Sequence, residues 1–147
     1  MWRSAPIPEE LSVFPGYLLA RLGERSRRRL HQALAPAGLH PRHFGVLAVV
    51  AANPGCTQQQ LHRKTAIAAS SIVAVLDELE ARGLAERRLD PGDRRARAIF
   101  LTAHGERELA RVRALTRGLQ AELFAALTPG ERDTLLTLLR QLAAAGG

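Results

Sequence analysis

The stretch DPGDRRAR, residues 90–97, packs two carboxylates and three guanidinium groups into eight residues. Arginine offers five N–H donors in a rigid fork, so such a cluster is suited to holding phosphate or carboxylate oxygens. Asp93 and Arg95 lie two apart. On a strand they share one side, and the carboxylate is expected to orient the guanidinium. Arg94 and Arg95 are then the groups to meet an anion, with Arg88 and Arg97 in support.

A second stretch is notable for lacking charge. IAASSIVAVL, residues 67–76, has none, in a chain with 21 basic and 14 acidic side chains. At about 100° per residue, Ile72, Val75, Leu76 and Leu79 form one helical face. Ser70, Ala74 and Asp77 lie opposite, with Ser71 and Val73 on the flanks and Ala69 at the start. Serine can bond several base edges or a phosphate, and the methyl groups of Ala or Val can touch thymine. The competing reading is that small residues simply avoid clashes on an exposed helix. Gln58, Arg63 and Lys64 sit just upstream, placed for backbone phosphates.

Other chemistry has little support. No nucleophile–base motif, glycine-rich phosphate loop or metal motif is present, so the chain does not read as an enzyme. His31, His40 and His43 lack a ligand-set spacing, and no metal or cofactor is expected. Cys56 is the single cysteine, which excludes an internal disulfide and fits a reducing cytoplasm. It is expected to pack on Leu61 as a hydrophobic staple; a thiol-based redox switch is the alternative. MWRSAPIPEEL carries two prolines and two glutamates where a signal peptide needs an apolar run. FGVLAVVAA, nine residues, is too short to cross a bilayer, so no membrane partner is expected.

These residues must be positioned by a mainly helical chain. Pro6 and Pro8 make residues 1–10 an extended arm. Helical spacing runs from about residue 13 to 34, through ERSRRR, and APAGL ends it. His40 precedes a first-turn proline, Pro41, and caps a helix over 41–52. Thr57 and Gln60 form a capping box for a short helix over 58–64. A longer helix follows over 68–82 and stops at Gly83. The period then changes. LAERRL and ARAIFL read as two strands, with Pro91 and Gly92 as a type II turn. Helices over 103–127 and 129–143 complete the chain, the last opened by a second capping box at Thr128 and Glu131.

A short helix, a longer helix and a two-stranded hairpin in that order make a winged helix-turn-helix. A helix about 10 Å across fits a major groove about 12 Å wide. A hairpin beside it can offer arginine to phosphates or to a narrow minor groove. The net charge of +7 favours an anionic partner. Charge alone does not locate the site: residues 57–97 carry only +2, whereas residues 21–29 carry +4.

LDELEARGLAERR, DPGDRRA and LTAHG, within residues 39–105, resemble the core of the MarR family of transcription regulators, and the flanking helices extend the likeness over about residues 13–143. The resemblance implies three parts: an N-terminal arm and dimerisation helix (1–38), a DNA-binding winged helix-turn-helix (39–101) and C-terminal dimerisation helices (102–147). It implies a homodimer on a pseudo-palindromic duplex operator. Ser70, Ser71, Val73 and Ala74 would read bases, and Arg94 or Arg95 would enter the minor groove. It also implies a repressor relieved by a small phenolic or anionic effector, bound near the junction of the two regions. Tyr17, Arg21, His43 and Phe44 are the expected ligand residues, with Arg21 receiving the acid. Val73 and Ala74 depart from the more polar residues usual in the family, so hydroxyl, methyl and shape readout are expected. A winged module that binds protein rather than DNA is the alternative.

Overall fold

The computed structural model describes residues 5–146; the first four residues of the expected arm lie outside them. The arm is not extended throughout. Glu9–Ser12 forms a single turn, α1, whose Leu11 and Ser12 N–H groups bond the Pro8 carbonyl at 3.1 Å each. Two acidic residues in this first turn favour it over the extended form. The next helix, α2, is Pro15–Leu34, starting at Pro15 rather than residue 13 and running unbroken through ERSRRR.

A 3-10 turn at Ala35–Ala37 and Gly38 (φ 66°) lead into α3, Pro41–Ala52. His40 caps α3 as expected: its Nδ1 accepts the Arg42 N–H, and the His43 ring accepts the His40 N–H. Then come α4, Gln58–Thr65, and α5, Ala69–Ala81. The Thr57–Gln60 box is formed in both directions, at 3.2 and 2.9 Å. Gly83, at φ 66°, closes α5: its N–H bonds the Glu80 carbonyl and that of Leu84 bonds the Leu79 carbonyl.

The hairpin is β1, Ala85–Asp90, paired antiparallel with β2, Asp93–Leu101. The second strand thus begins three residues earlier than its apolar run suggests. The type II turn is also corrected. Gly92 does not take the positive φ that type II requires. Instead the Asp90 carboxylate accepts the Gly92 N–H at 2.8 Å, a local bond that holds the tip in another shape.

The last helices are α6, Ala103–Leu123, and α7, Pro129–Ala145. The expectation that α6 reaches residue 127 fails for a tertiary reason. Arg132 Nε bonds the carbonyls of Phe124 (3.0 Å) and Leu127 (3.1 Å), holding that segment in a turn.

One core ties α3, α4, α5 and the hairpin together: Val46, Leu47 and Val50 from α3, Leu61 from α4, Ile72, Val75, Leu76 and Leu79 from α5, and Ile99 from β2. Each such Leu, Ile or Val contributes roughly 1.5–3 kcal/mol by leaving water. Leu34 from α2, with Leu109 and Val112 from α6, joins the long helices to this core. The joint at α6 is tight. Thr102 Oγ1 donates to the Gly83 carbonyl and accepts the Gly105 N–H, and Gly105 lies directly against the Leu84 carbonyl. By contrast α7 has no buried residue, and Leu19, Leu22, Leu115, Leu136, Leu138 and Leu142 are exposed. No described helix is long and apolar enough to cross a membrane.

Candidate nucleic-acid interface

The turn between α4 and α5 is built by Ala66, which adopts φ 55°. That left-handed geometry costs a non-glycine residue roughly 1–2 kcal/mol. His62 helps to hold it, with Nδ1 donating to the Ile67 carbonyl at 2.6 Å. The turn aims α5 so that Ile72, Val75, Leu76 and Leu79 are fully buried while Ala69, Ser70, Val73 and Ala74 are exposed and Ser71 is half-buried. Val73 is 42% exposed, an apolar group left in water unless a partner covers it. The first turn of α5 has no side-chain cap, since Ala68 occupies the cap position. Its backbone N–H groups are thus an anion-compatible end, a feature that side-chain patterning alone missed. Arg63 and Lys64, at the end of α4, are exposed, and Gln58 is half-buried.

The wing departs from expectation in one informative way. Leu89 faces Arg97 and Asp90 faces Asp93, so Arg94, Arg95 and Ala96 have no opposite residue. This bulge carries the two arginines outward at the tip. Asp93 does not orient the Arg95 guanidinium. Its Oδ1 accepts the Arg95 backbone N–H at 2.9 Å, fixing the bulge and leaving the guanidinium free to reach outward. Arg88, expected on the DNA backbone, is instead engaged: it pairs with Glu86 and stacks 4.4 Å above the Phe100 ring.

The same accounting resolves the charge question. All six acidic side chains of residues 57–97 are engaged within the protein. Arg87 takes Asp77 and Glu80; His43 and Arg42 take Glu78; Arg88 takes Glu86. Asp90 and Asp93 take backbone N–H groups. Arg87 and Glu80 are coupled most tightly: the carboxylate accepts the Arg87 N–H at 2.8 Å and its Nε at 3.0 Å. The Arg87 bonds hold the Glu80 carboxyl below the usual carboxylate range, and the Glu80 and Asp77 bonds push Arg87 up. Arg82 donates to the Ala37 carbonyl. Five cations remain, Arg63, Lys64, Arg94, Arg95 and Arg97, all exposed and without a side-chain hydrogen bond or ion pair among the described residues. A region nearly neutral by count therefore presents a set of cations open to an anion.

The four expected ligand residues are not gathered in one place. Arg21 donates to the Ala5 carbonyl at 2.9 Å and lines a cleft of about 440 Å³ with Pro6, Ile7, Leu22 and Arg25. Tyr17, His43 and Phe44 do not line that cleft. His43 is buried and fully bonded: Nδ1 accepts the His40 N–H, so Nε2 carries the proton it donates to Glu78 at 2.5 Å. That bond, with Arg42 nearby, holds the Glu78 carboxyl below its usual range. Cys56 lies in the same core as Leu61, as the staple requires, and burial pushes its thiol up. A reactive thiol needs the opposite shift. No group of three or more His, Cys, Asp or Glu able to hold a metal occurs among the described residues.

Known proteins place the chain in a family. An HTH-type transcriptional repressor of Mycobacterium bovis is 30% identical over 127 residues, covering 86% of this chain and 91% of the repressor. The MarR family model also matches, over residues 37–96. The chain belongs to the MarR family. A regulatory protein for the hcr operon of Thauera aromatica is 37% identical over 105 residues, covering 71% of this chain but only 63% of that protein. The transcriptional repressor CouR, solved on a 23-mer DNA duplex, superposes with a TM-score of 0.84 at 36% identity, covering 95% of this chain and 99% of its own. CouR from Rhodococcus jostii has also been solved with p-coumaroyl-CoA, with a TM-score of 0.79, 31% identity and coverage of 92% and 96%. Within this MarR fold the sequence missed Arg87, Glu80 and Asp77. The only available signal was a carboxylate seven residues before an arginine, across the glycine that ends α5.

Proposed function

We propose that the protein is a homodimeric repressor of transcription that binds a pseudo-palindromic duplex operator and is released by a small phenolic or anionic ligand. The observation that carries the DNA reading is the set of five open cations beside an uncharged, small-residue α5 face, with every local carboxylate engaged. Ala69, Ser70, Ser71, Val73 and Ala74 read base edges by hydroxyl and methyl contact. Arg63, Lys64 and Gln58 position α4 on phosphates, and Arg94, Arg95 and Arg97 take the minor groove and its walls. The DNA-bound structure of CouR, 36% identical to this chain, favours duplex DNA over an acidic protein surface as the partner of these arginines.

Residues 39–101 form the DNA-binding unit. The exposed leucines of α2, α6 and α7 meet those of a second copy, which buries the faces that one chain leaves in water. The protein works in the cytoplasm and catalyses no reaction. The p-coumaroyl-CoA complex of CouR supports an aromatic, anionic effector. Arg21 receives its acidic group in the cleft it lines with Pro6, Ile7, Leu22 and Arg25.

The test is selection of bound sequences from random duplex DNA. The expected product is an inverted repeat with half-sites about one helical turn, roughly 34–36 Å, apart. Salicylate and p-coumaroyl-CoA are then added to the complex, and one of them is expected to release the DNA. Failure to enrich any duplex contradicts the reading.

A further inference from the structure

We infer that Arg87 is a positioning residue for DNA binding: by joining Asp77 and Glu80 of α5 to strand β1, it fixes the wing relative to the reading helix. The inference rests on the DNA-binding function proposed above.

Three observations carry it. The first is geometry. Glu80 accepts the Arg87 backbone N–H, its Nε and its Nη2, at 2.8, 3.0 and 2.5 Å, so strand and side chain are held by one carboxylate. Nη2 continues to Asp77, one helical turn nearer the start of α5. Only a planar fork satisfies both carboxylates at once. The second is leverage. Arg87 sits opposite Ile99 in the hairpin, just where the strands leave the core, and the free arginines lie beyond it at the tip. A small rotation at Arg87 is therefore magnified at Arg94 and Arg95. The third is charge. Asp77 lies on the opposite side of α5 from the buried face and is exposed, so without a partner its carboxylate would face phosphate. Arg87 neutralises it without touching DNA.

The test uses the full-length protein and the duplex recovered by selection. If no duplex is recovered, the functional reading itself has failed, and Arg87 is not reached. With a duplex in hand, hydroxyl-radical footprinting reports the minor-groove protection given by the wing, and methylation protection reports the major groove under α5. Arg87→Ala is expected to lose the wing protection and weaken binding about tenfold. In that background Arg95→Ala is expected to cost little more, because an unanchored wing no longer delivers the guanidinium. The paired variant Asp77→Ala with Glu80→Ala removes the acceptors of the brace while raising the positive charge, and it serves if Arg87→Ala does not fold. It too should lose wing protection. Arg87→Lys, a single point charge, should fall between. A role limited to stability lowers the melting temperature alone, leaving both footprints intact well below the transition. Retained wing protection in Arg87→Ala, full additivity with Arg95→Ala, or tighter binding with an intact wing in the paired variant would each overturn the inference.

Discussion

Asp93 Oδ1 accepts the backbone N–H of Arg95 at 2.9 Å, and no bond joins their side chains. The carboxylate shapes the wing, and the guanidinium is left for a partner. This separates two roles that a side-chain ion pair would have merged. Asparagine can accept the same N–H through its amide oxygen while removing a negative charge from the wing tip. Asp93→Asn is therefore expected to bind the selected duplex as tightly as the wild type or more tightly. Asp93→Ala loses a hydrogen bond worth about 1 kcal/mol and is expected to bind several-fold more weakly. Equal losses in both variants would show that the charge of Asp93, not its acceptor oxygen, is what matters.

The glycine of LTAHG has a packing reason. A Cβ at Gly105 would stand 1.9 Å from the Leu84 carbonyl oxygen, which itself accepts the Thr102 N–H. Neither backbone can yield without breaking the joint between the hairpin and α6. Gly105→Ala is expected to cost more than ~2 kcal/mol in urea denaturation. Unchanged stability would mean that the joint is looser than its hydrogen bonds indicate.

How much of this was legible beforehand follows from where each interaction lies along the chain. Caps were legible, because Thr57–Gln60 and Thr128–Glu131 are three residues apart and bond as local chemistry dictates. The buried face of α5 was legible for a similar reason: a helix repeats on its own period, and the buried set, Ile72, Val75, Leu76 and Leu79, matches it residue for residue. The end of α6 was not, since it depends on Arg132 reaching back to Phe124 and Leu127. The wing tip was not, since its shape comes from Asp90 and Asp93 taking backbone N–H groups rather than from strand propensity. Arg87, Arg88 and Arg95 are identical in the sequence and differ only in which carboxylate lies within reach. That depends on packing, and it turns a net charge of +2 into five open cations.

Stability should depend on pH through His40. Its Nδ1 accepts the Arg42 N–H at 3.2 Å, and its ring stands edge-on to His31 with centroids 4.8 Å apart. Burial, and then the charges of His31, Arg42, His43 and Arg27, hold its pKa below the ordinary 6.5. A lowered folded-state pKa means that the unfolded chain takes the proton first. Stability is then full above pH 6.5 and is lost as pH falls through the folded value. The depressed carboxyls of Glu78 and Glu80 act in the same direction lower down, their stabilisation being lost as pH falls below 4.5. His40→Asn keeps a capping side chain without a titrating ring. At fixed protein concentration it is expected to flatten the upper part of the curve and leave the lower part. An unchanged curve would assign that slope to other groups.

Cys56 should be inert to peroxide. The thiol is buried in the core and its ionisation is opposed by burial, so little thiolate forms near neutrality. Wild-type protein and Cys56→Ser are expected to keep the same DNA affinity before and after hydrogen peroxide. Peroxide-driven release from the wild type alone would establish a thiol switch.

The most direct test of the central claim is the salt dependence of binding to the selected duplex. Each phosphate neutralised adds about −0.9 to the slope of log affinity against log salt concentration. The wild-type dimer is expected to give a steep negative slope. Arg95→Ala, which removes one contact from each protomer, should reduce its magnitude by roughly 2. A wild-type affinity indifferent to salt, or an Arg95→Ala slope equal to that of the wild type, would contradict the assignment of the open cations to DNA.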